Sequence, residues 1–139
     1  MFSSVAARPA LAYKKVSVET GLDRASPHHL VGMLFDGLLQ AIAAARGALA
    51  RGDLKAKCQQ VGIAVRIVDE GLKGALNLEQ GGELAANLHA LYAYCVLRLT
   101  QANARNDDAA LREVASLIEP LASGWKQISH VDTPALLAA

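Results

Sequence analysis

Apolar residues recur every three or four positions along four stretches of the chain, with polar residues between them. This spacing places the apolar side chains on one face of an α-helix. It predicts helices over about residues 27–50, 54–77, 83–105 and 109–128. Only short polar turns separate these stretches, and short turns make successive helices run antiparallel. The pattern therefore predicts an all-α fold, an antiparallel four-helix bundle.

Local signals support these boundaries. Ser26 suits the N-cap of the first helix and Pro27 suits its first position. Gly52 is placed to end that helix in a left-handed conformation, and Asp53 suits the next N-cap. Pro120 lies inside the fourth pattern and removes one backbone donor. We therefore expect it to bend or split the last helix nearby.

The chain ends lack a sustained period. We interpret residues 1–25 as a mobile N-terminal arm, residues 26–128 as the bundle and residues 129–139 as a short flexible tail. Leu136 and Leu137 are apolar enough to dock somewhere on the bundle. The sequence thus predicts one structural domain with an appendage at each end.

Composition narrows the class of protein. Of 139 residues, 53% are hydrophobic and 27 are alanine, the best helix former. The 14 basic and 13 acidic residues nearly balance, and no basic stripe marks a nucleic-acid interface. No apolar run reaches the roughly 18 residues of a membrane span, and the N-terminus does not read as a signal peptide. These features predict a cytosolic protein without membrane insertion.

Candidate chemistry is sparse. Cys58 and Cys95 each lie on a predicted apolar seam, which favours two buried thiols over a disulfide or a metal site. No Glu-x-x-His motif of a di-iron bundle occurs, and the neighbouring His28 and His29 point about 100° apart on a helix. No nucleophile has an evident orienting base. We therefore predict no catalytic residue, no metal, no cofactor and no enzymatic activity.

The helices carry more apolar surface than a bundle core needs. Ile63 and Ile67 lie roughly opposite the seam of the second helix, and such a patch often marks an interaction site. We predict that a partner helix binds in a groove. The alternative is a wide core stripe covered by the arm and the tail, and both hold if the arm fills the groove until a partner displaces it. The predicted groove residues are Val31, Phe35, Leu39, Ile63, Ile67, Tyr92, Val96 and Leu97.

Several short motifs follow one another in a specific order. They include Ala25-Ser26-Pro27-His28, Met33-Leu34-Phe35-Asp36-Gly37, Gly81-Gly82-Glu83-Leu84-Ala85, Asn106-Asp107 and Trp125-Lys126-Gln127-Ile128. With these motifs the chain resembles the flagellin-specific flagellar export chaperone family (FliS) from about Ala12 to Ile128. Several matching residues are expected to serve the architecture: Leu30, Leu34, Asp36, Gly81, Gly82, Leu88, Leu91 and Trp125.

The resemblance implies a cytoplasmic chaperone of flagellar type III export. Such a protein binds the disordered C-terminal segment of flagellin, prevents premature polymerisation and assists delivery to the export gate. The resemblance further implies that Leu11, Tyr13 and Val16 in the arm cap the groove or contact an export gate component, although Tyr13 could equally be a simple packing residue. A monomer or weak dimer is expected. The alternative functions are a self-assembling helical structural or adaptor subunit and a small enzyme with a bound metal or cofactor.

Overall fold

The structure, a computed structural model, describes residues 26–128 and 135–137. Within these residues the chain is helical, with one isolated β-bridge and no strand. The second helix continues directly into a π-helical segment of seven residues. The elements are α1 (Pro27–Ala50), α2 (Leu54–Arg66), the π-helical segment (Ile67–Lys73), α3 (Gly82–Arg105) and α4 (Asp108–Gln127).

The helices pack as a four-membered bundle. Helix α1 packs against α2 and α4, and α3 packs against α4 and against α2 with its π-helical continuation. Because short turns join them, successive helices run antiparallel. The predicted all-α bundle is confirmed. The largest fully buried side chains form one core: Leu34, Leu38, Ile42, Val61, Val68, Cys95, Leu99, Leu111, Val114 and Ile118.

The predicted caps are present. The Ser26 hydroxyl accepts a hydrogen bond from the His29 amide at 3.1 Å, and the Asp53 carboxylate accepts one from the Ala56 amide at 3.1 Å. Gly52 adopts a left-handed φ of 75° between α1 and α2. These contacts satisfy amides that have no partner inside the helix, which is why the boundaries could be read locally.

Pro120 does not split α4. The helix runs without interruption from Asp108 to Gln127, and Pro120 is exposed. The proline removes the donor for the carbonyl of Ser116, which is also on the exposed side. Water can satisfy that carbonyl, so the helix tolerates the proline.

The second helix ends earlier than predicted and in a different geometry. Its last seven residues are π-helical, and residues 74–77 form a turn and the isolated bridge. A Cβ at Gly71 would lie 3.1 Å from both terminal methyl carbons of Leu34 in α1. The missing side chain lets the two helices approach closely here. Gly71 and Gly74 also weaken α-helical geometry, in line with the widened turn.

Some residues predicted to face inward are exposed. Leu54 and Leu84 are 48% and 55% exposed, because each lies in the first turn of its helix, where neighbouring helices cover it poorly. Cys58 is also exposed, whereas Cys95 is buried as predicted. At the second helix the buried position belongs to Lys57, which is 3% exposed and bonds to Asn103.

The residues expected to serve the architecture do so. Asp36 pairs with Lys126 at 3.4 Å, and Gly82 adopts a φ of 60° that suits glycine. Gly81 lies in a close approach between backbone segments. The remaining members are buried or packed against the core: Leu30, Leu34, Leu88, Leu91 and Trp125.

Helix α1 is apolar enough, by length and composition alone, to cross a membrane. The helix meets this criterion on its mean hydropathy, although its sequence has no uninterrupted apolar run of that length. Nine of its residues are buried against the other helices, which is the pattern of a core helix.

Part of the C-terminal tail is docked. Leu136 and Leu137 are only 8% and 6% exposed. The Asn77 amide donates a 2.7 Å hydrogen bond to the Leu136 carbonyl, and Leu76 forms an antiparallel bridge with Leu137. We call residues 135–137 the C-terminal strip. The other tail residues and the predicted arm lie outside the described residues.

Candidate functional site

Three predicted groove residues belong to the core. Val31, Phe35 and Tyr92 are 4%, 3% and 3% exposed. The Phe35 ring lies 6.2 Å from the Trp125 ring of α4. Their assignment to a surface groove is therefore corrected. Val31 and Phe35 lie on α1, whose wide apolar stripe is covered on two sides by α2 and α4. Tyr92 lies on α3 and belongs to the same buried core.

Two further residues lie at different helix boundaries. The Ile67 Cδ1 atom lies 3.5 Å from where a Cβ on Gly37 would be, which places Ile67 against α1. Leu39 shares a face of α1 with Arg46, seven residues on, and Arg46 pairs with α4 through Asp108 at 2.8 Å. Leu39 therefore lies toward α4. The eight predicted residues do not form a single groove.

The remaining three residues, Ile63, Val96 and Leu97, lie on α2 and α3. The Lys57 ammonium donates to the carbonyl and side-chain oxygens of Asn103, at 2.8 and 2.7 Å, and this fixes the register of the two helices. Since the helices are antiparallel, a residue about seven positions after Lys57 lies level with Val96, seven before Asn103. Ile63 and Val96 are thus near the same level.

Apolar residues flank the boundary between α2 and α3 near Gly62. A Cβ at Gly62 would meet no atom within 4 Å, so the backbone of α2 is open to solvent there. Val65 and Val96 are half-buried beside it. Leu97 is 53% exposed on α3, and Ile63 is 44% exposed on the outer surface of α2, one turn before Ile67. We call these five residues the α2–α3 groove.

The outer face of α3 extends this groove. Six exposed, uncharged residues recur at helical spacing along this outer face, between Ala86 and Ala104. They span about 27 Å at 1.5 Å per residue. The Thr100 hydroxyl on this face donates to the Val96 carbonyl at 2.8 Å, so its polar atom is turned toward its own helix. We call this surface the α3 apolar face; its members are Ala86, Ala90, Ala93, Leu97, Thr100 and Ala104.

The opposite boundary of α3, toward α4, is polar. The Tyr94 hydroxyl and the Arg98 guanidinium both donate to the Glu113 carboxylate, Arg98 at 2.7 Å. The bond from Tyr94, followed by the one from Arg98, lowers the pKa of Glu113, and the bond to Glu113 raises the pKa of Tyr94. These contacts occupy the α3–α4 boundary. An apolar partner therefore fits the α2–α3 side better.

The site offers binding surface and little reactive chemistry. Among the described residues, no three His, Cys, Asp or Glu side chains are grouped to hold a metal ion. Burial raises the pKa of the Cys95 thiol to about 11, with a smaller effect of the Glu113 charge, so the thiol stays protonated and unreactive at neutral pH. Leu11, Tyr13 and Val16 lie outside the described residues, and their assigned roles remain predictions.

Sequence reasoning missed two contributors. The alanines of the α3 apolar face recur on the side of the helix opposite the buried seam. This spacing indicates an apolar outer face and not only a high helix propensity. The sequence shows a small residue at Gly62, where a larger one is common, but the opening beside it depends on how α3 packs beside α2.

Comparison with known proteins identifies relatives over most of the chain. The family model described as "Flagellar protein FliS" matches residues 9–132. The "Flagellar secretion chaperone FliS" of Salmonella typhimurium is 50% identical over 118 residues, covering 85% of this chain and 87% of that protein. "Flagellar secretion chaperone FliSB" of Pseudomonas aeruginosa is 44% identical over 118 residues, covering 85% and 93%. The FliS of Vibrio cholerae is 39% identical over 117 residues, covering 84% and 85%.

Proposed function

The chain belongs to the FliS family of flagellar secretion chaperones, and we propose that it binds the disordered C-terminal segment of flagellin in the cytoplasm, prevents premature polymerisation and assists delivery to the export gate. The family is one of chaperones rather than enzymes, as the sequence predicted. Flagellin binding, gate delivery and cytoplasmic location are the parts that we propose.

The observation that supports flagellin binding is the uncharged surface formed by the α2–α3 groove and the α3 apolar face. Two large aliphatic side chains, Ile63 and Leu97, stay about half exposed beside an opening at Gly62. An amphipathic helix docks on such a surface through residues spaced three or four apart. A client that is disordered when free can fold on this surface and cover much of it, at an entropic cost that limits its affinity.

A charge placed in the groove tests the proposal. Ile63→Asp removes the aliphatic contact and sets a carboxylate where an apolar client must bury it. Because Ile63 is already about half covered, losing that contact costs about 1 kcal/mol, and burying the carboxylate adds about 1 kcal/mol or more, so binding should weaken roughly 30-fold. Isothermal titration calorimetry with a peptide of the flagellin C-terminal segment measures the change, and Leu97→Asp should behave alike.

Ala43→Asp is the matched control. It adds the same charge to an exposed position of α1 and should leave the affinity unchanged. Ile67→Asp is a less clean variant, because Ile67 packs beside Gly37 and its loss also disturbs the bundle. If Ile63→Asp and Leu97→Asp bind like the folded wild-type protein, the groove assignment is wrong. If the folded wild-type protein binds no flagellin segment, the proposed function is wrong.

A further inference from the structure

The C-terminal strip occupies a defined place on the bundle. Its Leu136 carbonyl accepts the hydrogen bond from the Asn77 amide at 2.7 Å, and Leu137 lies opposite Leu76 in the antiparallel bridge. The side chains of Leu136 and Leu137 are almost fully buried. We call the surface that receives them the terminal seat; it consists of Leu76, Asn77 and Gly81. The Asn77 amide binds one main-chain carbonyl of the strip, and the Leu136 and Leu137 side chains are buried with the core.

Gly81 lies where the loop, the first turn of α3 and the C-terminal strip come close together. A Cβ at this position would lie 2.6 Å from the Asn77 carbonyl oxygen, 2.5 Å from the Ala85 Cβ and 3.2 Å from the Ala135 carbonyl oxygen. A side chain would therefore push apart the loop and the first turn of α3, and it would crowd the Ala135 carbonyl of the strip less severely. The glycine is required by close approach, since its φ of −76° is accessible to every residue.

The strip covers only part of the apolar surface at this end of the bundle. Leu78, in the loop that forms the seat, and Leu84, in the first turn of α3, are still 51% and 55% exposed. Among the described residues, the strip is held by one isolated bridge, to which the Asn77–Leu136 hydrogen bond belongs, and not by a continuous ladder. A longer apolar segment entering the seat would cover more surface than the strip does.

We propose that the terminal seat is a second peptide-binding site, closed by the chain's own C-terminal strip and opened when a client segment with two adjacent leucine-like side chains takes its place. This inference rests on the proposed function for the identity of the client. The strip is the model for the ligand, because it displays the chemistry that the seat accepts. As a tethered competitor it acts at an effective concentration of order millimolar, so it sets a threshold for the incoming segment.

A labelled peptide tests whether the seat accepts a ligand in trans. The probe is residues 131–139 with a fluorophore at the N-terminus, titrated by anisotropy into the full chain and into the full-chain variant Leu136→Ser/Leu137→Ser. Without a competing strip, the variant should bind the peptide about tenfold or more tightly than the wild-type protein. A control peptide with both leucines replaced by serine should not bind. Equal affinity, or no binding to the folded variant, would overturn the inference.

A reversible disulfide tests the same inference by holding the strip in place or releasing it. Paired positions in an antiparallel bridge have Cβ atoms about 4.5–5.5 Å apart, close enough for a disulfide after a small shift. The variant Leu76→Cys/Leu137→Cys, in a chain with Cys58→Ser and Cys95→Ala, can be held closed by oxidation and released by reduction. We expect the oxidised form to bind the flagellin C-terminal segment about tenfold more weakly than the reduced form.

The outcomes separate the two proposals. If the flagellin segment binds both forms equally, the seat is no client site and the proposed function stands. If it binds neither form, although both are folded, the proposed function fails and this inference fails with it. Circular dichroism of both forms shows that the bundle is intact.

Discussion

Lys57 provides a sharp test of how the bundle is held together. Its side chain is 3% exposed, and it is the buried charged residue of the described core. Its ammonium donates to the Asn103 carbonyl at 2.8 Å and to the Asn103 side-chain oxygen at 2.7 Å. Asn103 lies in the last turn of α3, where carbonyls have no helical donor. Lys57 therefore completes the end of α3 from a neighbouring helix.

We expect Lys57→Met to lower the free energy of unfolding by about 2 kcal/mol. Methionine keeps most of the length and the apolar stem, so the cavity left behind is small. The variant loses hydrogen bonds from a charged donor, worth about 1.5–3 kcal/mol, and a favourable charge at a helix C-terminus, worth about 0.3–1 kcal/mol. Against this, the variant no longer buries an ammonium group, which recovers part of the loss.

Urea unfolding followed by far-ultraviolet circular dichroism measures this change. Lys55→Met is the matched control, because Lys55 is exposed on the same helix and its loss should change the stability by less than about 0.5 kcal/mol. A Lys57→Met variant as stable as the wild-type protein would refute the reasoning. It would mean that the free-energy cost of desolvating the Lys57 ammonium equals the stabilisation from its hydrogen bonds to Asn103 in α3.

Three further predictions follow from the same structure. Gly62→Ala and Gly124→Ala should each raise the free energy of unfolding by about 0.5–1 kcal/mol, because the new Cβ meets nothing within 4 Å; a destabilised Gly62→Ala would contradict the open groove. The pKa of Glu113 is lowered from its ordinary 4.5, so its contribution to stability is fully present above about pH 4.5 and is lost as the pH falls through the folded-state pKa. Acidification should therefore lower the urea midpoint more for the wild-type protein than for Glu113→Gln. A thiol reagent should modify Cys58 quickly and Cys95 only after unfolding; two fast thiols in the native protein would show that the core is not closed around Cys95.

The helices and their ends could be predicted because the signals are local. Ser26 and Asp53 cap helices through amides three residues away, so no distant part of the chain is needed to read them. The limits of burial are not local. Leu84 continues the apolar period of α3, yet it is exposed because the neighbouring helices do not cover the first turn of α3. The apolar period alone does not show where that cover ends.

The candidate site was harder to predict, for a related reason. Val31 and Phe35 lie off the main seam of α1, which suggested a surface groove. They are buried because α1 has helices on two sides, and periodicity does not state how many neighbours a helix has. Ile63 and Leu97 could be found as outward apolar residues, but their place beside the opening at Gly62 required the register of α2 against α3.

The placement of charge explains why one side of this bundle suits an apolar client. Among the described residues, the ion pairs that join different helices all include α4: Arg46–Asp108, Lys126–Asp36 and Arg98–Glu113. The ion pairs of α2 and its π-helical continuation lie within one chain segment, one turn apart. An apolar helix that docks between α2 and α3 therefore breaks no interhelical ion pair and need not bury an unpaired charge, which would be costly. The hydrogen bonds from Lys57 to Asn103, which join α2 to α3, lie beneath the surface and fix the register without facing the client.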